Sequence, residues 1–182
     1  MMEFTLYYRG ELKTHRDAKT KQMLRRHFHL QLKKLWEQLP LKEYVILLDS
    51  ENDVNVIKNI NGFNFASIVS QNLHLVAELK ITFLRPEPAG SIVIHGGDID
   101  NRLKTLLDAL KIPSGQNEIP KEDFPQEGEN PFFCLLEDDS LITKISIETD
   151  RLLDECSKYE VVLLIHVTTK VIKLMFKNMG LG

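Results

Sequence analysis

The chain has 182 residues, a length that fits one domain and can bury about two-thirds of its extended-chain surface without a disulfide or metal staple. Hydrophobic residues make up 43% and charged residues 27%, the ordinary balance of a globular protein, which excludes long disordered, collagen-like and mucin-like chains. No apolar run approaches the roughly 18 residues of a membrane span, so no membrane partner is expected. The first residues, Met1-Met2-Glu3-Phe4, lack the basic and long apolar regions of a signal peptide. Two cysteines, Cys134 and Cys156, make no disulfide framework, so a cytoplasmic location is expected.

Net charge is −3, but it is unevenly spread. Residues 9–34 carry nine Lys and Arg against Glu11 and Asp17, a local +7 that leaves −10 for the rest. A basic arm on an acidic body suits either a nucleic-acid footprint or a self-complementary dimer.

In chain order, residues 3–8 read as a short strand rich in β-formers. Residues 16–39 read as one long helix, because Leu24, Phe28, Leu32, Leu35 and Leu39 form a single apolar stripe and Pro40 stops it. Lys19, Arg26 and Lys33 fall on the opposite face, which is either a solvated surface or one that touches phosphate. Residues 44–48 form a short apolar strand candidate, and the polar, Asn-rich stretch 49–62 reads as loop or helical turn. Residues 66–69 are ambiguous, whereas 75–84 alternate cleanly (Leu75, Ala77, Leu79, Ile81, Phe83) and predict a half-buried strand.

After the Pro86, Pro88 and Gly90 turn, residues 91–94 read as another strand. Gly96-Gly97 then precedes a helix over 98–110 with Ile99, Leu103, Leu106, Leu107 and Leu110 on one face. Residues 112–131 break the pattern, with four of the seven prolines and five acids; loops of that length are usually functional or disordered. Strands are predicted at 141–147 and 159–168. The whole reads as a single α+β domain over residues 1–182, a mixed sheet packed with helices.

The residues able to carry chemistry concentrate at Asp98, Asp100, Asn101, Lys104 and Asp108. Asp98 and Asp100 stand at a helix start and can converge on one cation, while Asp100, Lys104 and Asp108 share a stripe at i, i+4, i+8. A second acidic cluster, Glu137-Asp138-Asp139, precedes a predicted strand. Hard cations such as Mg²⁺ take oxygen ligands of this kind, and such ions activate water and stabilise the leaving oxygen in phosphodiester attack. The same residues also read as helix caps and ordinary i, i+4 surface pairs. Spacing alone does not choose between the two.

The run Asp98-Ile-Asp-Asn-Arg-Leu-Lys-Thr-Leu-Leu-Asp-Ala-Leu110 resembles the D-x-D-N-x-x-K-x-x-x-D-x-L signature of the RusA family of Holliday junction resolvases. Asp138-Asp139-Ser140-Leu141-Ile142 resembles the D-D pair that lies downstream in that family. The resemblance covers residues 96–148, under a third of the chain, and the interval 109–137 is longer than the family's. It implies a small RusA-like α+β fold and a homodimer. The implied activity is that of a hydrolase of DNA recombination and repair, an endonuclease that uses Mg²⁺ (or Mn²⁺) to nick branched DNA. Carried over, Asp98, Asp100 and Asp139 match the metal-binding catalytic aspartates and Lys104 the essential lysine. Asn101, Asp108 and Asp138 match supporting positions. The alternative is a catalytically inactive relative of the fold that binds nucleic acid or a protein.

Overall fold

In a computed structural model the described residues are 1–12, 17–87, 98–155, 157 and 159–181, with the backbone alone of Asp98. The alternating run after residue 75 forms the central strand. Strand β4 (Leu75–Arg85) buries Leu75, Ala77, Leu79, Ile81 and Phe83, as its period of two predicts. It pairs antiparallel with β7 (Glu160–Val171) and parallel with β6 (Ile142–Arg151), and β1 (Glu3–Glu11) closes the other edge against β7. The order is β1-β7-β4-β6.

A second sheet, β2-β3-β5, joins β2 (Ile57–Ile60), β3 (Phe63–Val69) and β5 (Phe132–Leu136), with β3 and β5 parallel. Helices α1 (Ala18–Trp36) and α2 (Asp98–Leu110) pack on each other and on β5. One core cluster draws on both sheets and both helices, so this is a single small α+β domain with mixed sheets. No helix among the described residues is long and apolar enough to cross a membrane.

Helix α1 starts later and ends earlier than the sequence predicts; Arg16 lies outside the described residues. The Asp17 carboxylate caps it, accepting from the Thr20 amide at 2.6 Å. Leu24, Phe28 and Leu32 are buried and Leu35 partly so, but Leu39 lies beyond the helix end and Trp36 takes the inward position instead.

Residues 44–48 are not a strand. They belong to a 3₁₀-helix, Leu41–Leu48, in which Leu41 and Leu47 are buried while Val45 and Ile46 are exposed. The segment kinks at Tyr44, between two short helical turns, and each turn buries one leucine, Leu41 before the kink and Leu47 after it. Nor is 49–62 all loop: β2 and β3 form a hairpin through Asn61 (φ 50°) and Gly62 (φ 81°), the left-handed pair a two-residue turn needs. The strand predicted at 91–94 and the Gly96-Gly97 turn lie outside the described residues.

Strand β5 had no alternation to announce it, because all five residues are buried, as in a parallel strand covered on both faces. Just before it, Ile112 and Ile119 of the Pro-rich segment insert into a satellite core with Phe63, Phe65, Phe132 and Cys134.

His29 of α1 ties the helix to β5. Its Nδ1 accepts from the Phe133 amide at 2.8 Å, and its ring stacks on that of Phe133. Burial pushes the imidazole below its ordinary range; Glu129 and the Gly128 carbonyl pull it up, while Lys33 and Arg26 push it down. The unfolded chain therefore takes up this proton first, and stability falls as pH drops below the ordinary histidine range of about 6.5. Urea midpoints measured across that range should fall on the acid side, and His29→Asn, which keeps an acceptor for Phe133, should flatten the fall.

Candidate functional site

Helix α2 opens at Asp98, so its first three residues carry the Asp98 and Asp100 pair. Leu106 and Leu110 of its apolar face are buried, with Leu103 and Leu107 packed at the margin, which turns Asp100 and Lys104 outward. The Lys104 ammonium stands 3.3 Å from the Asp100 carboxylate, with side-chain exposures of 53% and 62%. The Asn101 carbonyl accepts from the Thr105 hydroxyl at 2.9 Å. Asp108, one turn further along the same helix, binds Lys21 of α1 at 2.7 Å. The Asp98 carboxyl lies outside the described residues.

The far end of α2 is fixed by a buried cation. Arg25 of α1, 1% exposed, donates from Nη2 to the Asp108 carbonyl at 2.9 Å, from Nε to the Lys111 carbonyl at 3.3 Å, and from Nη1 to Gln22 at 2.6 Å. Two of these acceptors lie where a helix leaves carbonyls without internal partners. Burial pulls the guanidinium down from its usual value, while Glu118 and Asp108 pull it up.

The second acidic cluster occupies the corner after β5. Glu137 ties that corner down: its amide donates to the Val69 carbonyl, one carboxylate oxygen accepts from the Gln71 amide, and the other binds Lys58, each at 2.8 Å. Asp138 caps the short turn Asp139–Leu141. Its carboxyl is held below the usual range by hydrogen bonds from Ser140, helped by Lys111 and Lys58 and opposed by slight burial. Asp139, 48% exposed, faces the Lys111 ammonium at 3.4 Å, and the Lys111 side chain is only 9% exposed. The ammonium partners Lys58 and Lys111 were missed in the sequence. Lys111 did carry a signal, a lone cation between Leu110 and Ile112.

Asp100 and Asp139 are thus exposed carboxylates of the hard-oxygen kind that suits Mg²⁺, each with a lysine ammonium as its present counter-ion. Among the described residues no three His, Cys, Asp or Glu side chains stand together as a metal site.

Of the three cations assigned to a nucleic-acid face, Lys19 is exposed and lines a cleft between the start of α1 and residues 120–123. The other two meet the chain's own acidic segment: Arg26 binds Glu129 and Asp123, and Lys33 donates to the Gly128 carbonyl. Burial would lower the Arg26 guanidinium, and the bonds to Glu129 and Asp123 outweigh it, leaving it raised. No family model matches the sequence, and neither the curated proteins nor the solved structures contain a match.

Proposed function

We propose that the chain is a metal-dependent, structure-specific endonuclease that resolves branched DNA, four-way junctions in particular, by phosphodiester hydrolysis as a homodimer. The observation that carries this reading is the opening of α2: two aspartates in its first three residues, and a lysine one turn on paired with the second of them. That arrangement supports the resemblance to the RusA-like resolvases drawn from the same residues.

In this reading Asp98, Asp100 and Asp139 would hold one or two Mg²⁺, or Mn²⁺. When bound, such ions supply an activated water and charge stabilisation at the leaving oxygen. Lys104 leaves Asp100 to face the scissile phosphate and offsets the charge that builds there. Asp138, ionised and capping its turn, fixes the backbone that presents Asp139. Symmetric nicking of two strands needs two sites, hence two copies.

A second reading, a non-catalytic nucleic-acid- or protein-binding module, is favoured by one observation. The described carboxylates of the two clusters that pair with lysines, Asp100, Asp108, Glu137 and Asp139, are already charge-compensated within the chain.

Incubation of the protein with a synthetic four-way DNA junction, in Mg²⁺ and in chelator, separates the two. The proposal expects paired nicks that need the metal. A gel shift that weakens with salt, without nicks in either condition, would replace it with the binding module.

A further inference from the structure

The acidic segment 120–129 meets α1 charge to charge. The Arg26 guanidinium binds Glu129 Oε1 through Nε at 2.7 Å, and Asp123 Oδ1 and the Phe124 carbonyl through Nη2 at 2.8 and 3.2 Å. Two turns on, Lys33 donates to the Gly128 carbonyl at 3.0 Å. Gly128 itself sits at φ 82°, and a Cβ there would stand 3.0 Å from the Lys33 ammonium, so the approach is close. Glu129, 6% exposed, also folds the segment, accepting from the Gln126 amide at 2.9 Å.

Ion pairs rather than apolar burial hold this segment. Residues 121, 122 and 124–128 are exposed, with Phe124 at 67%. The joint also leaves buried polar atoms unmatched: Asp123 Oδ2 and Gln22 Nε2 have no hydrogen-bond partner. The Gln22 orientation is fixed, because its oxygen accepts from Arg25 Nη1, which can only donate. Both residues line the cleft of about 1350 Å³ that Lys19 also lines. A closure of this kind weakens with salt and yields to a competing polyanion, and each unmatched atom opposes it.

We propose that the basic face of α1 is a binding surface for the phosphate backbone of DNA, held shut by residues 120–129 until DNA displaces them. The carboxylates of Asp123 and Glu129 occupy the Arg26 fork as phosphate oxygens would. Displacing them frees Arg26 and Lys33 to line up with Lys19 at seven-residue spacing, two turns apart along one face. The inference rests on the nucleic-acid reading of the protein given above.

Gel-shift titration of a four-way DNA junction in chelator, where no cleavage occurs, compares the full chain with Asp123→Asn/Glu129→Gln. The double variant should bind at least fivefold tighter, and adding Arg26→Gln should remove the gain. Hydrogen exchange on the wild-type protein gives a readout free of variants, since bound junction should strip protection from the Gln126 and Glu129 amides. Equal affinities, with that protection unchanged by bound DNA, would overturn the latch and leave DNA binding standing. Failure of both folded proteins to bind the junction would refute the nucleic-acid reading, and the latch with it.

Discussion

Arg25→Met is expected to destabilise the fold by about 3–5 kcal/mol, read as a lower urea midpoint with the slope unchanged. The methionine fills most of the same space, so the loss is not a cavity effect. It removes the donor from three acceptors that the guanidinium serves: the Asp108 and Lys111 carbonyls and the Gln22 side chain. A buried polar group left without its partner costs about 1–3 kcal/mol, and the helix end loses a cation that its dipole favours. A domain stable by about 5–15 kcal/mol feels such a loss strongly. Because Arg25 holds α1 to the end of α2, the variant should also loosen the helix that carries Asp100 and Lys104.

Asp100→Asn should cut junction nicking at least about 10³-fold, equivalent to about 4 kcal/mol of barrier, while leaving the fold nearly untouched. The amide keeps the shape and removes the charge that a hard cation requires of its ligand. On the stability side the exposed pair with Lys104 and a first-turn charge that the helix dipole favours are lost, each worth a few tenths of a kcal/mol. If Asp100 were merely a surface partner of Lys104, the variant would keep nicking and lose only those small increments. Single-turnover nicking and a thermal melt of the same preparation tell the two apart. Asp108→Asn follows a different course: it breaks the half-buried pair with Lys21 and should cost about 1 kcal/mol of stability.

What could be read from the sequence depended on whether local periodicity carried the information. Strand β4 and helix α2 were legible because each has one buried face, so their apolar residues repeat at two and at three to four. Strand β5 was invisible because it is buried on both faces and follows a Pro-rich segment. The run at 44–48 misled because five apolar residues in a row carry no period, so a short strand and a helical turn read alike. In the candidate site, the positions of Asp98 and Asp100 at a helix start were legible. Their surroundings were not, since Lys111 meets Asp139 and Lys58 meets Glu137 across the fold. The engagement of Arg26 by Asp123 and Glu129 was equally hidden: the sequence offered a basic helix and an acidic loop about a hundred residues apart, and only folding joins them.

In the proposed reading the start of α2 and the corner after β5 act on one phosphate, and Asp139 is the residue that tests it. Single-turnover nicking of a four-way junction in Mg²⁺, by the wild-type protein and by Asp139→Asn, is the direct measurement. The account predicts paired nicks from the wild type and at least about a 10³-fold loss in the variant, with junction binding retained. Nicking by Asp139→Asn at the wild-type rate would contradict it.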